Sequence, residues 1–454
     1  LKVIIVGAGE VGYHIASKLS RENKDVVLVD QNAERLRFVN DTLDVQTLHG
    51  SGASPTLLHE AGVEAADMVV AVTDSDETNL IACLMSRLLS PGTMRVARIR
   101  NQDFFKIKGI ITDSLLGLSL AINPESEVVK TILRLLEVPG SVDVADFADG
   151  RVRLVGLQVR DDSPLIGLTL AELRQKDPHR HILVGAIYRG NSVIIPRGNT
   201  RLEPRDLVYV PTRPEEVGEV LHFFGLPLAP VRHVFIVGGG QVGSHLAQAL
   251  EKKGLSVRLI ERDPATCQTL SEVLDKTIVI RGDGTDPELL REENVGEADY
   301  FIALTNDEEE NILSCLQARQ LGTRQVITRI NKFHYIPLVS AIGLETIVSS
   351  RLSAISAILQ HIRQGKVLSV AALKGEDAEA LEFIALESSD IVGKAIQNIN
   401  IPSQVLIAAI FREGEVIIPR GDTVLAVNDR IIIFARKEAI RKVEKAFTVK
   451  LEYF

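Results

Sequence analysis

The sequence predicts an α/β protein: two Rossmann-like, doubly wound parallel-sheet domains, each followed by a small α+β domain. Three observations predict it. The stretch Val3-Ile4-Ile5-Val6-Gly7-Ala8-Gly9-Glu10-Val11-Gly12 recurs as Val234-Phe235-Ile236-Val237-Gly238-Gly239-Gly240-Gln241-Val242-Gly243. After the glycine motif, short apolar runs alternate with stretches of helical spacing, as right-handed βαβ crossovers require. Farther on, Val193-Ile194-Ile195-Pro196-Arg197-Gly198 reappears as Val416-Ile417-Ile418-Pro419-Arg420-Gly421. The chain is therefore a duplicated two-domain unit, with expected domains at 1–140, 141–228, 231–365 and 366–454.

The elements follow in order. Residues 26–30, 45–50, 68–73 and 95–100 read as buried strands, and 11–20 and 77–89 as amphipathic helices between them. The small domains are set apart by short β-branched runs and by the hairpin signals Gly190-Asn191 and Glu413-Gly414. Gly225-Leu226-Pro227-Leu228-Ala229-Pro230 reads as a linker, since its two prolines disfavour regular structure.

Composition sets the bounds. The 454 residues are 45% hydrophobic and 24% charged, a globular balance that excludes disorder and a disulfide scaffold. A net charge of −9 argues against wrapping nucleic acid through phosphate neutralisation. No run approaches the roughly 18 apolar residues of a membrane span, and the N-terminal strand runs straight into a glycine loop, unlike a signal peptide. Cys83, Cys267 and Cys315 lack metal-ligand spacing and read as reduced thiols. The expectation is a cytoplasmic protein without a metal site.

Each Gly-x-Gly-x-x-Gly loop follows a strand and opens a helix. Its first glycine permits the turn, its second lets the backbone approach a pyrophosphate, and its third lets helix and strand pack closely. The helix N-terminus offers unpaired N–H groups to the phosphates. Each second strand then ends in an acid, Asp30 or Glu261, where a carboxylate accepts hydrogen bonds from ribose hydroxyls. An acid there favours NAD or an adenine nucleotide over NADP. Topology adds the residues beyond the carboxyl ends of the later strands: Ser51 and Asp283, Thr73-Asp74 and Thr305-Asn306, then Arg98 and Arg329. The arginines suit either a phosphate clamp or a strand-end salt bridge. Ser51 opposite Asp283 means that the two sites differ chemically.

Catalytic machinery is not visible. Among the ten histidines, His179 and His181 sit in a polar loop-like stretch. No lysine of Walker type follows either loop. The run Asp307-Glu308-Glu309-Glu310 reads as a solvated helix start. Binding without turnover is the expectation. The alternatives are an NAD-dependent oxidoreductase using the same loops and a scaffold with empty sites.

Together these motifs resemble, over essentially the whole chain, the Trk potassium-uptake regulatory family, whose domains are tandem RCK (KTN) modules. The resemblance implies RCK N-terminal domains at 1–140 and 231–365 and RCK C-terminal domains at 141–228 and 366–454. It implies binding of NAD(H) and ATP or ADP, and a homo-oligomeric, tetrameric ring that gates a TrkH- or TrkG-type membrane potassium transporter from the cytoplasmic face. By it, Gly7, Ala8, Gly9, Glu10, Val11, Gly12, Asp30, Ser51, Thr73, Asp74 and Arg98 form a first nucleotide site. Gly238, Gly239, Gly240, Gln241, Val242, Gly243, Glu261, Asp283, Thr305, Asn306 and Arg329 form a second. Ser51 departs from the acid of the family's Gly-Asp turn.

Overall fold

The computed structural model describes residues 1–106, 116–176, 182–190, 192–226, 229–362, 368–373 and 378–447. The chain falls into two compact units, Leu1–Lys130 with Val348–Ile362, and Thr131–Ile347 with Arg363–Phe454.

The first unit is built on β1 (Lys2–Val6), β2 (Asp25–Asp30), β3 (Gln46–His49), β4 (Met68–Ala71), β5 (Met94–Arg98) and β6 (Leu120–Ile122). They form one parallel sheet in the order β3-β2-β1-β4-β5-β6. Val3 to Val6 and Met68 to Ala71 are buried, which is why these strands read as unbroken apolar runs rather than alternating ones. The crossovers are α1 (Glu10–Arg21), α2 (Ala33–Thr42), α3 (Pro55–Glu60), α4 (Asp76–Leu89) and α5 (Asp103–Lys106), with α6 (Pro124–Glu137) after the sheet. Val11, Ile15, Ala16 and Leu19 form the inner stripe of α1 at helical spacing.

The second unit contains both small domains. In the first, β7 (Ser141–Phe147), β8 (Val152–Gln158), β9 (Ala186–Arg189), β10 (Ser192–Ile194) and β11 (Leu207–Thr212) make an antiparallel sheet, with α7 (Leu170–Lys176) and α8 (Val217–Phe223). The second Rossmann sheet follows: β12 (His233–Val237), β13 (Ser256–Glu261), β14 (Ile278–Arg281), β15 (Tyr300–Ala303), β16 (Gln325–Arg329) and β17 (Ile347–Val348). It repeats the first order as β14-β13-β12-β15-β16-β17. Its helices are α9 (Gln241–Lys252), α10 (Pro264–Val273), α11 (Pro287–Glu292), α12 (Glu308–Leu321) and α13 (Ile336–Ala341), followed by α14 (Ser350–Ile362). The last sheet is β18 (Ser369–Ala372), β19 (Ala378–Ile384), β20 (Val405–Arg412), β21 (Glu415–Ile417) and β22 (Arg430–Arg436), with α15 (Lys437–Phe447).

Two features exceed the simple repeat. α14 follows the second Rossmann sheet in the chain, yet it packs on α1 and β6 in the first unit. The two small sheets share one core, in which Phe147, Leu154 and Tyr209 of one meet Ala380, Ile432 and Phe434 of the other. Gly185 is required there: a Cβ on it would lie 2.0 Å from the Phe434 ring. Glu382 crosses the same boundary. It accepts from Arg430 Nε at 2.5 Å and from the Ala148 N–H at 3.2 Å, while Arg430 also pairs with Asp149.

The hairpin signal at 413–414 is a left-handed pair, with φ of +50° at Glu413 and +91° at Gly414. At the other hairpin Gly190 has φ +57°, and Asn191 lies outside the described residues. So do His179, His181 and the linker pair Pro227-Leu228. Among the described residues, no helix is long and apolar enough to cross a membrane, and no group of three or more His, Cys, Asp or Glu could hold a metal.

Candidate nucleotide crevices

Both glycine loops lie where strand order reverses, between β1 and β4 and between β12 and β15, the crevice position of doubly wound folds. The glycines divide by function. Gly7 takes φ +109°, and a Cβ on it would lie 2.9 Å from the Thr73 nitrogen; Gly238 repeats this against Thr305. A Cβ on Gly12 would fall 1.8 Å from the Gly7 carbonyl oxygen, and one on Gly243 2.0 Å from that of Gly238. Those glycines close helix onto strand. Val11 and Val242 are also buried, so their side chains belong to the core. The middle glycines are different. A Cβ on Gly240 would meet nothing within 4 Å, and one on Gly9 only Arg35 Nη1 at 3.7 Å. Each caps a 12-residue helix without a side-chain hydrogen bond. A phosphate cradle needs this combination: open space over a glycine and helix N–H groups facing it.

The acids at the strand ends hold the loops. Asp30 accepts from the Ala8 N–H at 2.6 Å and the Asn32 N–H at 2.7 Å. Glu261 accepts from the Gly239 N–H at 2.6 Å and the Asp263 N–H at 2.9 Å. In both cases one carboxylate oxygen serves the loop and the other the start of the next helix. A carboxylate oxygen has two lone pairs, so this arrangement is compatible with ribose hydroxyls as further donors.

The turn after the third strand packs under the first. A Cβ on Gly52 would lie 2.0 Å from Val6 Cγ1, and one on Gly284 2.2 Å from Val237 Cγ1. Asp283 accepts from the backbone N–H and hydroxyl of Thr285, at 2.8 and 2.7 Å, and the Thr285 hydroxyl bond in particular holds its carboxyl below the usual range. The Ser51 hydroxyl accepts a 3.3 Å bond from the Ala53 N–H.

Residues that sequence reasoning missed fix the fourth-strand turn. Asn79 Oδ1 accepts from the nitrogen and hydroxyl of Thr73, at 2.9 and 2.7 Å. Its Nδ2 donates to the carbonyls of Thr73 and Arg98, at 3.1 and 2.9 Å. Asn311 repeats all four bonds with Thr305 and Arg329. Both asparagines are fully buried. The signal was present: each strand-end threonine is followed at the same spacing by an asparagine.

The two arginines of the fifth strands part company. Arg98 is buried and donates to Asp74 Oδ1 at 3.3 Å, an oxygen that Arg100 also reaches at 3.4 Å. This is a strand-end ion pair. Arg329 instead donates to the Leu304 carbonyl at 3.4 Å and to neutral Asn306 at 3.3 Å.

The acidic run at 307–310 is a helix start, exposed at Asp307 and Glu309 but buried at Glu308. Asp307 caps α12, accepting from the Glu310 N–H. Glu308 is buried and receives the N–H groups of Asn331 and Lys332. Glu309 takes Tyr335 Oη at 2.8 Å and Lys332 Nζ at 3.1 Å, and Glu310 pairs with Arg262 at 2.7 Å. In the first unit Glu10, the first residue of α1, pairs with Arg351 of α14.

Residues 3–124 and 234–350 match the family model of the TrkA-N domain, and 154–225 and 380–448 that of the TrkA-C domain. The Trk system potassium uptake protein TrkA of Halomonas elongata is 39% identical over 458 residues, covering 100% of both chains. That of Vibrio alginolyticus is 38% identical over 98% of each. TrkA homolog 1 of Methanosarcina mazei is 34% identical over 98% of this chain and 100% of its own. Among solved structures, the GsuK channel bound to NAD is 21% identical with a TM-score of 0.59, covering 98% of this chain and 78% of that one. The GsuK RCK domain has the same identity and TM-score, covering 98% and 94%. At this identity, the likeness to the GsuK structures concerns the fold.

Proposed function

The chain belongs to the TrkA family of Trk system potassium uptake proteins, and from that premise we propose that it is a nucleotide-sensing regulatory subunit of a potassium uptake system. The observation that carries this reading is the open space over Gly9 and Gly240, in loops whose other motif glycines are closed by packing. NAD(H), ATP and ADP are the ligand class. The middle glycines and helix N-termini would receive the phosphates, and the oriented carboxylates of Asp30 and Glu261 the ribose. The naming of the GsuK channel structure as bound to NAD supports the same class.

The reading extends to a TrkH- or TrkG-type membrane transporter as partner, a tetrameric ring as the assembly, and peripheral attachment at the cytoplasmic membrane face. Regulation is linkage. A nucleotide changes transporter conductance only to the extent that it binds two ring conformations with different affinity, typically by about 5- to 150-fold. No residue in either crevice is assigned a role in turnover.

Reconstitution tests it. The chain and a TrkH-type transporter are placed in vesicles, and potassium flux is followed with ATP, ADP, NAD and NADH. Flux that responds to at least one nucleotide, with the nucleotide recovered chemically unchanged, is expected. Unchanged flux with all four contradicts the sensing role, and oxidation of bound NADH by an added carbonyl substrate points to an oxidoreductase.

A further inference from the structure

Arg351 is the second residue of α14, which the chain order gives to the second repeat and the packing gives to the first unit. Its half-buried guanidinium pairs with Glu10, the residue directly after the open Gly9. A carboxylate is favourable beside a helix N-terminus, but it is the wrong sign beside an incoming phosphate. The Glu10–Arg351 pair therefore puts opposite charges at the phosphate end of the first crevice. A phosphate competes with Glu10 for the guanidinium, and guanidinium–phosphate hydrogen bonds are charge-assisted and often bidentate. The second crevice lacks this device on its own helix, since Gln241 stands where Glu10 does.

Resting on the nucleotide-binding reading above, we propose that Arg351 is a phosphate-binding residue of the first crevice, supplied by the second repeat and held by Glu10 until a nucleotide takes it over. The exchange moves the partner of Arg351 from α1 to the ligand. It therefore couples occupancy of the first crevice to a helix whose chain continues into the second small domain. The first crevice gains selectivity for phosphorylated nucleotides over the bare nucleoside.

The test uses the full chain with Gly240→Ala to fill the second cradle, titrated calorimetrically with adenosine, AMP and ADP. Adding Arg351→Ala is expected to weaken ADP binding about tenfold, Arg351→Lys to restore part of it, and adenosine binding to stay within about twofold. Glu10→Gln, which keeps the side chain's size and removes its charge, is expected to strengthen ADP binding about threefold by removing the competing carboxylate. ADP binding that is indifferent to both Arg351→Ala and Glu10→Gln overturns the proposal and leaves the nucleotide-binding reading standing. Equal losses for adenosine and ADP also overturn it, because they mark a displaced helix. Absence of ADP and AMP binding in the wild-type chain overturns both.

Discussion

The two Rossmann repeats share strand order, loop geometry and buried asparagine clamps, yet differ at several side chains beside the crevices. Glu10 of the first repeat corresponds to Gln241 of the second, Ser51 to Asp283, and the Arg98–Asp74 ion pair to the Arg329–Asn306 contact. Backbone closeness explains what is shared. Gly12 and Gly243, Gly52 and Gly284 all stand where a single methyl group would collide. The crevice positions are free of that constraint and have diverged. Two copies of one scaffold can therefore hold different ligands or respond differently to the same one.

The shared part is broken most severely at the third glycine. Gly12→Ala and Gly243→Ala each place a Cβ about 2 Å from a carbonyl oxygen and are expected to cost at least about 3 kcal/mol. Thermal unfolding of the two variants should show comparable losses. A loss in only one would mean that the two loops are not mechanically equivalent.

A second break lies in the small domains, where the first sheet has Gly156 packed on Tyr209 and Asp143 and the second has buried Glu382 bonded to Arg430. Glu382→Ala strips the Ala148 N–H and Arg430 of a buried partner. About 3 kcal/mol is expected from leaving a partly buried charge short of its counterion. Chemical denaturation measures it, and protease sensitivity of the hairpin at 147–152 should rise in parallel.

The loops themselves offer a sharper comparison. A Cβ on Gly239 would lie 2.4 Å from Leu270 Cδ1, while the first loop accommodates Ala8 in a buried position. Gly239→Ala is expected to cost about 1–2 kcal/mol and Ala8→Gly less than about 1 kcal/mol. Equal costs would remove the packing distinction.

The smallest effect is one of pH. The Tyr335 hydroxyl bond, its own helix N–H and Lys332 hold the Glu309 carboxyl at about 2. In the first copy Glu77 is lowered by its backbone bond and by Ser75, with Phe104 and Asn101 at the positions of Tyr335 and Lys332. A depressed carboxyl pKa stabilises the fold above its ordinary value of 4.5, and that contribution is lost as pH falls through about 2. The difference in melting temperature between wild type and Glu309→Gln should therefore be present at pH 6 and shrink as pH falls from 4.5 towards 2.

Much of this architecture was legible from the chain. Buried parallel strands leave unbroken apolar runs, and the glycine motif marks both switch points, so fold class and crevice position followed directly. The roles of individual residues were less accessible. Val11 and Val242 lie inside the binding motif, but helical spacing turns them into the core. The acids at 307–310 start a helix as the sequence suggests, yet three of them find partners on other elements: Glu308 in the backbone at 331–332, Glu309 in Tyr335 and Lys332, and Glu310 in Arg262. The placement of α14 in the first unit was not legible, because chain order assigns a helix to the sheet it follows. Nor was the shared core of the small domains, since a glycine such as Gly185 does not reveal which ring it makes room for.

The central claim is that the space over Gly9 and Gly240 is a nucleotide cradle in each repeat. Asp30 and Glu261 are poor probes of it, since removing either also releases its loop. Gly9→Ala and Gly240→Ala fill the space while touching little else, so stability should stay within about 0.5 kcal/mol of wild type. Calorimetric titration of the wild-type chain, both single variants and the double variant with ADP and with NADH measures the claim directly. The account predicts that each single variant loses a different component of binding and that the double variant loses all of it. Full binding in the double variant would place the nucleotides elsewhere and contradict the account.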